Sequence, residues 1–251
     1  MDMKIADIAG KVVLITGAST GIGAALAREF AAQGAMVVVA QQVGSHYNSS
    51  RAEAEAVAAE ITAAGGRVQL IQADVSKVDE ARRAVAECVA AFERLDGLIN
   101  NAGGMVRRIS YEKATEADYT EIMDLNALSV IVATGAAIPH LKAAEGGFSI
   151  NTTSIAARNG ASGGAGLYGS SKAFVHDATR GMAKELIAFG IRVNAVAPGV
   201  IATLFHERYS TQAQLDAALG TIPQGRLGTP EDCVGAYLFL ASAQLSPYII
   251  G

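Results

Sequence analysis

The sequence predicts an α/β protein built as a doubly wound parallel sheet with helices on both faces. Short runs of β-branched and aliphatic residues alternate with alanine- and glutamate-rich stretches of helical length along the chain. A glycine-rich turn, Thr16-Gly-Ala-Ser-Thr-Gly-Ile-Gly23, joins the first strand directly to the first helix. Polar or glycine-bearing clusters follow the predicted strands at Asp74, Asn100 to Gly103, Ser154 and Pro198-Gly199. In a parallel sheet these clusters converge on one rim, where ligands settle.

Each element has a local cause. Lys11 to Thr16 reads as a buried strand, Ile22 to Phe30 as a helix ended by Gly34, and Met36 to Ala40 as a second, valine-rich strand, which completes a βαβ unit. Ala52 to Ala64 is a helix stopped by Gly65-Gly66, Val68 to Ala73 a strand, and Val78 to Phe92 a helix. Leu98 to Asn100 makes a short strand, Glu116 to Lys142 a long helix, and Phe148 to Asn151 the next strand. Leu167 to Phe189 is helical, Ile191 to Val196 is a strand, and Pro230 to Leu240 is the last helix. Strands that alternate with helices of this length imply a parallel sheet covered on both sides.

Residues 1–251 suffice for one large domain, and no internal repeat or low-complexity linker divides them. Charged residues make up 18% of the chain, and no apolar run approaches the roughly 18 residues of a membrane span, so no membrane is expected. Met1 to Gly10 lacks a basic segment followed by an apolar one, which places the protein in the cytoplasm. A net charge of -4 without a long basic run argues against nucleic acid and for small-molecule partners. Cys88 and Cys233 lie far apart without CxxC or histidine clustering, so neither a disulfide framework nor a metal site is expected.

The chemistry centres on Tyr168 and Lys172, in Tyr-Gly-Ser-Ser-Lys. Four residues apart on a helix, they share one face. A free phenol with a pKa of about 10 is a poor acid or base at neutral pH, and a neighbouring ammonium would lower it. The glycine turn opens a helix, so its backbone amides and the positive end of the helix dipole suit a pyrophosphate. Gly17 permits the tight turn, and Gly21 and Gly23 permit close approach. This is a Rossmann-type arrangement.

With TGxxxGxG at Thr16 to Gly23, NNAG at Asn100 to Gly103, Asn126, Ser154, YxxxK at Tyr168 to Lys172 and Pro198-Gly199 all in order, the chain resembles the short-chain dehydrogenase/reductase family over nearly all its length. The glycine spacing is similar to the compact dehydrogenase branch rather than the extended epimerase and dehydratase branch, which would have glycine in place of Thr20. The resemblance implies an NAD(P)-dependent oxidoreductase that transfers hydride between nicotinamide and a ketone or secondary alcohol. Tyr168 would be the acid/base. Lys172 would lower its pKa and hold the nicotinamide ribose, Ser154 would hold the substrate oxygen with Thr153 as rival, and Asn126 would join a water-linked proton path. Cofactor contacts carried over from the family are Gly17, Ser19, Thr20, Gly21, Ile22, Gly23, Asp74, Val75, Asn101, Ala102, Gly103, Tyr168, Lys172, Pro198, Gly199, Ile201 and Thr203. Asp74 would hydrogen-bond near the adenine, with a simple strand-end turn as the other reading.

At the end of the second strand NAD users carry an aspartate, and here Gln41 or Gln42 stands there. The stretch Tyr47 to Arg51 resembles one in NADP-using relatives, so Ser49, Ser50 and Arg51 would hold a 2'-phosphate. This favours NADP, although Thr20 stands where many NADP users have Arg or Lys beside Gly21, and NAD stays possible. The chain as a whole resembles 3-oxoacyl-[acyl-carrier-protein] reductases and sugar or polyol dehydrogenases. Its substrate would be set by Gly103 to Arg108, Asn159 to Gly166 and Ile201 to Ile222, the last a lid carrying His206, Arg208 and Tyr209. After Ser246 the resemblance implies that the last edge strand usual in the family is absent. A homotetramer is expected on the alanine- and glycine-rich helices Glu116 to Lys142 and Leu167 to Phe189. The alternative is a non-catalytic nucleotide sensor or interaction protein on the same fold.

Overall fold

Residues 4–42, 51–144, 146–161 and 163–251 are described by a computed structural model. Six strands form one parallel sheet: β1 (Val12–Thr16), β2 (Met36–Gln42), β3 (Arg67–Ala73), β4 (Gly97–Asn100), β5 (Phe148–Thr152) and β6 (Arg192–Val196), in spatial order β3-β2-β1-β4-β5-β6. The order reverses between β1 and β4, and this is where a doubly wound sheet opens its ligand crevice.

Side-chain alternation along each strand divides the core. Val13, Ile15, Val37, Val39, Ile99 and Ile150 face α1 (Gly21–Ala32), α2 (Arg51–Ala63) and α10 (Pro230–Ala241). Val12, Leu14, Val38, Leu98 and Val193 face α3 (Val78–Phe92), α5 (Ser129–Ala143) and α7 (Gly166–Leu186). A strand apolar on both faces must be covered on both, so β-branched runs such as Val37-Val-Val39 specify a central position. β3 exposes Arg67, Gln69 and Gln72, as an edge strand does.

The expected long helix from Glu116 is interrupted. α4 (Glu116–Met123) and α5 are joined by one wide turn of π-helix at Asp124–Leu128. Asn126 sits in that turn and donates from Nδ2 to the Ile122 carbonyl at 2.9 Å, and the Ser129 hydroxyl bonds the Leu125 carbonyl at 2.6 Å. Side chains thus serve helix carbonyls that the wide turn releases. Counting α4 to α5 as one rod, Glu116–Ala143 is long and apolar enough by composition to cross a membrane, which departs from the sequence expectation; half of its most apolar window is buried. Packing against α3 and α7 accounts for that apolarity. The segment after β6 contains two short helices, α8 (Leu204–Tyr209) and α9 (Gln212–Leu219), and α6 (Ala156–Asn159) follows β5.

β6 also carries a buried cation. Arg192 is 5% exposed, and its guanidinium donates to the carbonyls of Leu240 at 2.6 Å and Ala241 at 2.7 Å and to the Ser246 hydroxyl at 3.1 Å. These carbonyls end α10, where a positive charge meets the negative pole of the helix and its unpaired acceptors. Beyond it, Asn194 Nδ2 bonds the Ile249 carbonyl and the Gly251 amide bonds the Val193 carbonyl, tying residues 249–251 to β6. Arg192→Ala is expected to destabilise the fold by about 2–4 kcal/mol, because buried carbonyls lose charged donors. Arg192→Lys, which lacks the fork, should recover less than half of the loss in urea unfolding.

Candidate active site

The glycine turn is clamped to the loop after β4. The Thr16 hydroxyl accepts from the backbone amides of Asn101 and Ala102, both at 3.0 Å, and Asn101 Nδ2 donates to the carbonyls of Thr16 at 3.1 Å and Gly17 at 3.0 Å. The packing leaves no room for side chains: a Cβ on Gly23 would lie 2.3 Å from the Gly17 carbonyl oxygen, and one on Gly17 would lie 2.9 Å from Ala102 Cα. Gly17 also has φ +64°, in the region that favours glycine. Thr20 precedes α1 without capping it through its side chain, and no acidic residue stands in the first turn. The first-turn amides therefore face outward with no side-chain acceptor of their own N-cap, which fits the pyrophosphate of a dinucleotide.

Beside this turn lies the reactive cluster. β5 ends at Thr152, and the three successive hydroxyls part ways: Thr152 pairs with the buried Tyr237 hydroxyl at 2.8 Å, Thr153 bonds the Val196 carbonyl at 3.0 Å, and Ser154 lines the cleft beside Tyr168. The Thr153 hydroxyl is thus committed to β6, whereas Ser154 stands on the tyrosine's side of the cleft. The Ala156 amide donates to the Ser154 oxygen at 3.1 Å and orients it. Lys172, on the same face of α7, is 3% exposed and donates from Nζ to the Thr152 carbonyl at 2.9 Å.

Asn126 lies beneath the loop after β4. Its Nδ2 donates to the Gly104 carbonyl at 2.8 Å and its Oδ1 accepts from the Gly104 amide at 3.0 Å, so it grips the backbone of one residue on both sides. A Cβ on Gly103 would meet Lys172 Nζ at 2.6 Å and Asn126 Oδ1 at 2.8 Å. Gly103 is the spacer that lets the lysine and the asparagine approach the same stretch of backbone.

The electrostatics differ from the sequence expectation in one respect. Burial pushes the Tyr168 phenol above its usual 10, against the lowering effect of the Ser154 hydrogen bond, and Lys172 is not among the groups that shift it. The lysine bears the burial itself, and its ammonium is pushed down from 10.5 to about 8.

A cleft of about 890 Å³ brings together Gly17, Ser19, Thr20, Gly21, Ile22, Asn101, Ala102, Gly103, Ser154, Tyr168, Lys172, Pro198, Gly199, Ile201 and Thr203. Gly23 and Asn126 support it from beneath without lining it. Asp74 accepts from the amide and hydroxyl of Ser76 at 3.1 and 2.6 Å, the geometry of a strand-end turn, and Val75 is buried next to it. Arg51 begins α2, exposed and paired with Glu55 at 2.6 Å. Ser49 and Ser50 lie outside the described residues. Phe205 on α8 went unnoticed in the sequence; its ring lies 5.5 Å from that of Tyr168. An aromatic in a segment without periodicity gives no signal of this contact.

Comparisons with known proteins agree with this geometry. The family model described as enoyl-(acyl carrier protein) reductase matches residues 17–251. An oxidoreductase of Methylorubrum extorquens is 41% identical over 235 residues, 93% of this chain and 91% of its own. A 3-oxoacyl-[acyl-carrier-protein] reductase of Synechocystis is 38% identical over 244 residues, 97% of this chain and 94% of its own.

The chain belongs to the short-chain dehydrogenase/reductase family.

Among solved structures of this family, a Serratia marcescens short-chain dehydrogenase/reductase superposes with a TM-score of 0.88 at 34% identity, covering 97% of this chain and 94% of its own. The NADH-dependent reductase A1-R' complexed with NAD gives 0.84 at 38% identity, covering 98% and 94%. This short-chain dehydrogenase/reductase is therefore an oxidoreductase of the CH-OH/ketone class that uses a nicotinamide cofactor, and the non-catalytic alternative is not favoured.

Gly103→Ala is expected to cost about 1–3 kcal/mol through overpacking and to lower turnover by roughly 100-fold through displacement of Lys172, measured by melting temperature and steady-state rates. Lys172 also makes stability depend on pH. Its folded pKa of about 8 lies below the unfolded 10.5, so the unfolded state binds more protons between these values. The buried charge therefore costs stability below about pH 8, and the cost disappears as pH rises toward 10.5. Lys172→Met should be more stable than the parent at pH 7, with the difference shrinking over that window in denaturant titrations.

Proposed function

We propose that this chain is an NADP-dependent carbonyl reductase, of the 3-oxoacyl reductase-like or sugar/polyol dehydrogenase type, in which Tyr168 gives the proton to the carbonyl oxygen. The observation that carries the reading is the convergence of Ser154, Tyr168 and the buried Lys172 on one cleft. Ser154 both donates and accepts, so it holds the substrate oxygen against the phenol. A phenol above its usual range stays protonated at neutral pH, as an acid catalyst of reduction must. Lys172 lies on the same face of α7 as the tyrosine, and its remaining donors suit the ribose hydroxyls of the cofactor. Asn126 keeps the loop after β4 in place for both. The nicotinamide, when bound, supplies the hydride.

The cofactor set follows the cleft and its margins: Gly17, Ser19, Thr20, Gly21, Ile22 and Gly23 at the turn; Asn101, Ala102 and Gly103 after β4; Pro198, Gly199, Ile201 and Thr203 after β6; and Asp74 and Val75 at the adenine end. The preference for NADP is supported by Gln41 at the end of β2 in place of a carboxylate and by Arg51 at the start of α2. To bind a 2'-phosphate Arg51 must leave Glu55, an exchange that an exposed pair allows at little cost. We place the protein in the cytoplasm, as one domain, and propose a homotetramer through α4–α5 and α7, whose surfaces expose Tyr119, Ile131 and Phe174. Light scattering that shows only monomer overturns the tetramer.

Tyr168→Phe should abolish reduction of a panel of ketones, acetoacetyl thioesters and sugars while NADPH still binds, as read by its fluorescence. Turnover retained by that variant would refute the assignment. Arg51→Ala should move the ratio of kcat/KM for NADPH over NADH toward NADH by roughly tenfold, the weight of one charge-assisted hydrogen bond. An unchanged ratio would remove Arg51 from the cofactor site.

A further inference from the structure

A buried phenol that does not line the cleft touches the site from behind. Tyr237 on α10 is fully buried among the apolar residues that cover one face of the sheet, and its hydroxyl meets the Thr152 hydroxyl at 2.8 Å. A phenol in such surroundings is tolerated only when it is paired. Burial pushes it far above its usual 10, so at neutral pH it keeps its proton and can donate.

Thr152 is the point where several supports meet. Sheet pairing holds it from one side: β6 reaches it at Val196, whereas β4 pairs with β5 only as far as Asn151. Its side chain falls on the α10 face, in step with Phe148 and Ile150, and its carbonyl accepts from Lys172 Nζ of α7 at 2.9 Å. The residue that ends β5 is therefore gripped by a helix on each face of the sheet, through its hydroxyl on one and its backbone on the other. With the tyrosine as donor, the Thr152 proton is left for Asn101 Oδ1, a long contact at 3.5 Å. Asn101 Nδ2 in turn holds the Thr16 and Gly17 carbonyls of the glycine turn.

We propose that Tyr237 is a positioning residue of the active site: through the Thr152 hydroxyl it fixes the carbonyl that receives Lys172 and, through Asn101, the glycine turn that suits the pyrophosphate. This rests on the carbonyl-reductase reading above and adds to it a residue from outside the cleft. Without the phenolic proton the Thr152 side chain is free to turn, the end of β5 loosens on the side that β4 does not reach, and the ammonium and the glycine turn lose a common reference point.

The test uses full-length protein, with NADPH and NADH affinities read by fluorescence, turnover of acetoacetyl-N-acetylcysteamine, and melting temperature. Tyr237→Phe, which keeps the ring and removes only the hydroxyl, should weaken binding of the preferred nucleotide several-fold and lower kcat by roughly 10-fold, with KM for the thioester within about twofold of wild type. Thr152→Val should reproduce these losses and carries the test if Tyr237→Phe fails to fold, whereas Thr152→Ser, which keeps the hydroxyl, should stay near wild type. The double variant Tyr237→Phe/Thr152→Val separates positioning from packing. With neither hydroxyl left unpaired it should melt closer to wild type than either single variant, while its kcat and nucleotide affinity stay at the level of the single variants. Activity that recovers together with the melting temperature overturns the proposal, as does a Tyr237→Phe variant with wild-type nucleotide affinity and kcat. Should wild type bind the nucleotide but leave the thioester unreduced, the carbonyl-reductase reading loses its support, and nucleotide affinity across the same variants alone upholds or overturns the role of Tyr237.

Discussion

A buried ammonium bonded to a backbone carbonyl organises the rim of this sheet. Lys172 sits on a helix, Thr152 ends a strand, and Gly103 follows another strand, so three elements far apart in sequence must meet at one nitrogen atom. Such a charge is costly to desolvate, and the fold holds it because the surrounding backbone is itself rigidly placed. Thr16 and Asn101 clasp the glycine turn to the loop after β4, and Asn126 clasps that loop to the turn between α4 and α5. The lysine occupies the space these clasps leave.

Deeper in the sheet a second polar chain does similar work. Asn100 Nδ2 bridges Thr134 at 3.0 Å and Asn151 at 2.9 Å, and Asn151 in turn bonds Thr179 at 2.9 Å. It joins α5, β4, β5 and α7 through buried side-chain hydrogen bonds, so it specifies their register rather than merely filling volume. Helices α5 and α7 therefore cannot slide along the sheet without breaking it, and α7 is the helix that carries Tyr168 and Lys172.

The strands, the helices and the glycine turn were legible in the sequence because each depends on local pattern. Valine runs, Gly34 and Gly65-Gly66 act within a few residues of themselves. The proposed catalytic set was drawn from another signal: its spacing repeats a family pattern, and Tyr168 and Lys172 share one face of a single helix. What escaped depends on tertiary contact. Three consecutive hydroxyls at Thr152, Thr153 and Ser154 differ only in where β5 ends, which pairing with β6 decides. The wide turn at Asp124–Leu128 leaves no mark in composition, because its cause is the grip of Asn126 on Gly104. The lysine's pKa likewise follows from depth of burial, which a four-residue interval does not report.

That wide turn has a consequence for how the chain can change. A regular α-helix advances about 100° per residue, so straightening Asp124–Leu128 into regular α-helix without removing a residue would swing everything on one side of it by about that angle relative to the other. Either Asn126 would leave the loop or the buried face of α5 would turn away from β4. The length of this helix is thus counted by the site at one end and by the core at the other, and the extra residue reconciles the two counts. A further insertion in this segment has no second wide turn to absorb it and should be selected against even where single substitutions are tolerated.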